Sequence, residues 1–150
     1  CEPGANPSCR LYRSESNFLV QGVMKSSKVD SSAVQKGPCP KGVDWKKAFP
    51  GRKCFPHDPD CGCHGPIMER GMVGWAGGGT GPDFFAVLSP TPVNHWAHDH
   101  TVWGKLDMPS LNVLYRVNAQ KTRNDGGMTM LAEEIEFQVS QSLPKRPWWG

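Results

Sequence analysis

Two histidine groups and one glycine run hold the residue types from which a site could be built. His57, Cys61, Cys63 and His64 lie close together, as do His95, His98 and His100. Either set could offer imidazole, and the first also thiolate, to zinc in a tetrahedral site. The spacing fits no standard finger, and the Pro-rich surroundings give no helix that would set two histidines on one face. A structural metal is therefore the lesser reading. The run Gly77-Gly78-Gly79-Thr80-Gly81 invites a phosphate loop. It lacks the Lys and Ser/Thr ending, and Pro82 leads into an apolar strand instead of a helix, which rejects the dinucleotide fingerprint as well. Such a loop suits unusual φ values or the close approach of another chain. A bound peptide would use both.

Cys1, Cys9, Cys39, Cys54, Cys61 and Cys63 are an even number of cysteines beside Pro and Gly in a chain of 150 residues. Disulfide frameworks of secreted domains have this character, so all six are disulfide candidates and an oxidising compartment is expected. Connectivity stays open. One residue separates Cys61 from Cys63, which would strain a mutual bond and favours pairing with Cys39 and Cys54.

The elements that must position these residues read as one domain over 1–150, large enough for a single core. Hydrophobic residues make up 37% of the chain, with 17 Gly and 14 Pro, which is too apolar for a disordered tail and too rich in turn formers for a helical bundle. The formal net charge of +3 comes from scattered Lys and Arg, a pattern of solubility and not of nucleic-acid binding. Apolar stretches fall short of the roughly 18 residues a spanning helix needs, so no direct membrane insertion is expected. The start at Cys1 reads as a processed product or part of something longer.

Strand-like runs occur at 10–13 and 18–21, bridged by a turn at 14–17, and again at 68–75, 84–88, 98–106 and 128–139. In the last, Ile135, Phe137 and Val139 share a face. Residues 109–119 carry Leu111, Leu114, Tyr115 and Val117 at roughly helical spacing, with Ser110 in the first turn. Residues 25–65 form a long Cys/Pro/Gly-rich connection, unusual in a compact domain unless stapled or functional. The tail 144–150, ending in Trp148-Trp149 and Gly150, has no clear period. Many short strands and one helix predict a mostly-β barrel.

In order along the chain, these residues resemble the cyclophilin-type peptidyl-prolyl cis–trans isomerases. Tyr12-Arg13 followed by Phe18-Leu19-Val20-Gln21-Gly22 looks like the family's paired strands, in which an aromatic or His precedes a key Arg. Arg70 to Ala76 resembles the strand entering its substrate groove, and Asp83-Phe84-Phe85 its Gln-Phe-Phe. Trp96, then His100-Thr101-Val102-Trp103-Gly104-Lys105, resembles its last groove wall. The match spans roughly Cys9 to Val139. The block from His57 to Pro66, with Met72 to Gly79, is similar to a divergent cysteine-rich cyclophilin-like branch of plants and algae thought to enter the secretory pathway.

The resemblance implies a cyclophilin-like antiparallel β-barrel and catalysis at X-Pro bonds of peptides or folding proteins, without a cofactor or metal. Arg13 would be the catalytic cation. Phe18, Leu19, Gln21, Ala76, Gly77, Gly78, Asp83, Phe85, Trp96, Ala97 and His100 would bind substrate. Location would be the Golgi lumen or the extracellular space. The family's two N-terminal strands and helix have no counterpart here, so a partner chain or further segment is expected to complete the barrel. Three positions depart from the family: Asp83 stands for its Gln, Gly77 for its Asn and Leu19 for its Met. If the fold holds, Asp83 is expected to pair with Arg13 and occupy the charge that catalysis needs. The alternative is an inactive cyclophilin-like module that binds Pro-containing segments or serves as a structural subunit.

Overall fold

The computed structural model describes residues 1, 8–35, 39–42 and 63–142. Within them seven strands form one antiparallel sheet: β1 (Cys9–Glu15), β2 (Leu19–Met24), β3 (Met72–Trp75), β4 (Asp83–Val87), β5 (Val102–Lys105), β6 (Thr122–Asp125) and β7 (Met128–Glu136). Their order is β5-β3-β4-β2-β1-β7-β6. The sheet is not closed: β5 and β6 are its edges. The mostly-β chain with one helix in its second half is therefore present, as an open sheet. No helix among the described residues is long and apolar enough to cross a membrane.

The buried pattern explains the order. Phe84-Phe85-Ala86-Val87 is an unbroken apolar run, and all four are buried because β4 lies inside the sheet with both faces covered. β2 beside it is buried at every position but Gln21. Gly22 is required there, because a Cβ would run into the Arg10 carbonyl of β1 and meet the Phe84 ring at 3.1 Å.

Helix α1 (Met108–Asn118) covers one face, which we call inner. Asp107 caps it by accepting a hydrogen bond from the Ser110 N–H at 2.9 Å, and Pro109 sits in the first turn, where a missing N–H costs nothing. Leu111 and Val117 of α1 pack with Val20, Leu88 and Leu131. The expected helix at 109–119 is thus displaced by one residue.

Three expectations are corrected. The strands expected at 68–75 and 98–106 shorten to β3 and β5, because Met68 and His98 belong to the loops that flank them. Strand β6 was not expected at all. It forms through a hairpin at Gly126 and Gly127, both with positive φ (58° and 86°), the pairing that a two-residue turn between right-twisted strands demands.

Candidate functional site

A bulge in β1 decides which side chains reach the outer face. Leu11 pairs with Gly22 but Arg13 pairs with Gln21, so Tyr12 is the extra residue. Strict alternation would send Leu11, Arg13 and Glu15 to the same side. Instead Leu11 packs into the inner core, while Arg13 joins Gln21 on the outer face. Ser14 is turned inward and buried.

Across β1, β2 and β4 the outer face then carries a polar strip. The Arg13 guanidinium donates to Gln21 Oε1 at 3.0 Å and to Glu15 Oε1 at 3.1 Å, the latter an ion pair. Glu15 also accepts from the Thr129 N–H at 2.8 Å. Burial works against its ionisation, but the Thr129 N–H and Arg13 outweigh this and hold the carboxyl below its ordinary range. Asp83 does not meet Arg13 as expected. It accepts from the Tyr12 hydroxyl at 3.0 Å, because the bulge brings Tyr12 to the same side. Burial first, and the neighbouring Asp83 charge second, push the Tyr12 phenol well above its usual range, so it remains a donor.

Beside this strip lies an aromatic cluster assembled from separate parts of the chain. Phe85 meets Trp96 and His100 with ring centroids 5.0 Å apart in each case, both edge to face. Trp96 also meets Phe18 at 5.2 Å and His100 at 5.3 Å. Beneath them Met68, Val87 and Val93 are buried, with Met72, Ala76 and Val102 packed alongside. Each aromatic pair stabilises by about 0.5–1.5 kcal/mol beyond its burial, enough together to hold a preformed surface.

Local structure sets these rings. Trp96 ends a 3-10 turn at Asn94–Trp96, and Ala97 follows it with φ of 46° and ψ of -129°, a sparsely populated conformation that costs a residue other than glycine on the order of 1–3 kcal/mol. Strain held at such a position marks a constrained wall. Ala76, Gly77 and Gly78 form the β3–β4 loop. There the Ala76 N–H donates to the Asp83 carbonyl at 2.8 Å, and the Gly78 carbonyl accepts from the Thr101 N–H at 2.8 Å. Leu19 is buried opposite Val87.

Phe18, Phe85, Trp96 and His100 are therefore brought together with Ala76, Arg13 is joined to Gln21, and Asp83 lies on the same face as Phe85. Tyr12 and Glu15 are the polar members that sequence reasoning did not single out. Glu15 was within reach of it, since residues two apart on a strand share a face; Tyr12 was not, because a bulge has no clear sequence signal.

The 98–102 segment is clipped by two others. The His64 N–H donates to the His98 carbonyl at 2.7 Å, and His98 Nδ1 donates to the Gly65 carbonyl at 2.7 Å. The Gln35 side chain accepts from the Val102 N–H at 3.2 Å. A Cys39–Cys63 disulfide anchors the first clip, in keeping with one of the pairings left open, and Cys1 pairs with Cys9. Cys54, Cys61 and His57 lie outside the described residues. Cys63 is thus no thiolate ligand, and no group of three His, Cys, Asp or Glu among the described residues is placed to hold a metal.

Two clefts lie elsewhere. One of about 390 Å³ is bordered by Gln120, Lys121 and 132–135, and one of about 350 Å³ on the inner face by Phe84, Trp103, Leu106, Val113 and Leu114. Neither shares a residue with the aromatic cluster. The chain matches no protein-family model and no curated protein sequence.

Proposed function

We propose that the outer face is a proline-binding surface and that the chain is a peptidyl-prolyl cis–trans isomerase of cyclophilin type. One observation carries the reading. Phe18, Phe85 and the Trp96–His100 segment, distant in sequence, converge through Trp96, whose ring centroid lies 5.0–5.3 Å from those of Phe18, Phe85 and His100, on the sheet face that also bears Arg13 and Gln21. A pyrrolidine ring needs an apolar, aromatic seat. The barrier to X-Pro rotation, roughly 20 kcal/mol, is amide resonance. A surface lowers it by holding the twisted amide better than either planar form. A cation that donates to the proline nitrogen does so, and Arg13 has donors beyond the two that Gln21 and Glu15 occupy.

The alternative, a module that grips Pro-containing segments without turning them, is favoured by the Arg13–Glu15 ion pair, which offsets the charge that catalysis would use. The same reading places the chain in the secretory pathway or outside the cell, on the strength of its two disulfides. It also assigns the open edges of β5 and β6 to completion of a barrel by a further segment or partner chain.

The test is catalysis of cis–trans exchange in short X-Pro peptides, read by NMR, for the oxidised chain and for Arg13→Ala. Acceleration that falls about 100- to 1000-fold in the variant is expected of a preorganised electrostatic group. Binding without acceleration would leave the gripping module. Neither binding nor acceleration by a folded sample would overturn both readings.

A further inference from the structure

On the outer face the charges are unevenly compensated. Arg13 is held by Glu15 and Gln21, and Arg10 by Glu134 at 2.9 Å, with its guanidinium carbon 6.0 Å from the centre of the Tyr12 ring. Among the described residues the Asp83 carboxylate accepts one hydrogen bond, from the Tyr12 hydroxyl to Oδ1. Among the described residues no Lys, Arg or His lies within ion-pairing distance of it, and its side chain is half-buried. A carboxylate has about four acceptor sites, of which the described residues fill one.

Its position relative to the aromatic cluster is fixed by the ladder. Val23 pairs with Asp83 and Gln21 with Phe85, so Asp83 and Phe85 are two residues apart on one strand and face the same way. That places the carboxylate about 7 Å along the strand from Phe85, the buried base of the aromatic cluster that would seat proline. An extended peptide advances about 3.3 Å per residue, so a long side chain one or two residues from its proline spans the gap.

Resting on the proline-binding reading, we propose that the site selects segments that carry a Lys or Arg within two residues of the proline, through the carboxylate of Asp83. Tyr12 acts as a positioning residue, holding Oδ1 and leaving Oδ2 toward the ligand. A charge-assisted contact at a half-buried carboxylate is stronger than a neutral one, and a glutamate in the same place would be repelled.

The experiment measures binding of blocked pentapeptides that hold a central proline and differ only at flanking positions, Lys, Gln or Glu, on either side. The oxidised chain is used at low and at high salt. The Lys peptide is expected to bind about tenfold tighter than the Gln peptide, and the Glu peptide more weakly than both. The difference should shrink as salt screens it. It should vanish in Asp83→Asn, whose retained binding of the Gln peptide shows that variant to be folded, and shrink in Tyr12→Phe, which keeps the carboxylate but removes the hydroxyl that positions it. Equal binding of Lys and Gln peptides, or a Lys preference that survives in a folded Asp83→Asn protein, would overturn the inference while the proline reading stands. Failure of all peptides, neutral ones included, would overturn the proline reading itself.

Discussion

Glu15 sits at the junction of the site and the sheet: it pairs with Arg13 of its own strand and accepts from Thr129 of β7. Its folded-state carboxyl lies below the ordinary value of 4.5. The unfolded chain therefore binds more protons in acid, so the stability this group contributes is complete above about pH 4.5 and is lost as pH falls through the lower folded value. Glu15→Gln should be less stable than the parent chain at pH 6, by about 1 kcal/mol, and the gap should narrow at pH 3, as read by denaturant unfolding at both. A penalty that is the same at both pH values would show that Glu15 acts through shape and not charge. At this scale the types of the candidate residues were legible in the sequence, but their partners were not. Asp83 was expected to neutralise Arg13, and Glu15 does so instead. The cause is register: Arg13 is aligned with Gln21 and Phe85, whereas Asp83 lies two residues along, opposite Val23, where the bulge at Tyr12 brings the phenol to it.

Between elements, the tie that matters to the site is made at the C-terminal end of α1. The Asn118 amide donates to the buried Ser14 hydroxyl at 2.7 Å, and its oxygen accepts from the Asn17 N–H at 3.2 Å. One side chain thus fixes the helix to both the last turn of β1 and the loop that delivers Phe18 and Leu19. Asn118→Ala leaves the Ser14 hydroxyl buried without this partner, a loss of about 1–3 kcal/mol. Weaker peptide binding should accompany it, as Phe18 loses its fixed entry, whereas exposed Asn112→Ala on the same helix should change neither. Equal effects of the two substitutions on unfolding would sink this account. The helix itself was legible, since Leu111, Leu114, Tyr115 and Val117 recur at helical spacing behind Ser110 in the first turn. The β6–β7 hairpin was overlooked although Asn124-Asp125-Gly126-Gly127 carries a strong turn signal, because β6 is exposed at all four positions and so lacks the alternation by which strands are recognised.

For the whole molecule, the division of labour is between two faces of one sheet. The inner face is packed by α1, and the outer face is finished by loops whose one piece of regular structure is the Asn94–Trp96 turn: 63–65, 93–101 and 33–35. Such loops carry few sheet hydrogen bonds, so covalent anchoring decides how well they hold. The Cys39–Cys63 bridge joins residues 24 apart in sequence and Cys1–Cys9 residues 8 apart. Loop-closure entropy makes the longer one more stabilising by about 1 kcal/mol. It also anchors the segment that hydrogen-bonds His98, next to His100 and Trp96. Replacing Cys39 and Cys63 by Ser should therefore lower the thermal midpoint more than replacing Cys1 and Cys9. It should also weaken the near-ultraviolet dichroism of the Trp96 cluster, which the second pair leaves intact. If both pairs lower the midpoint alike and neither touches the aromatic signal, the bridge serves the chain at large and the aromatic face owes its form to the sheet alone.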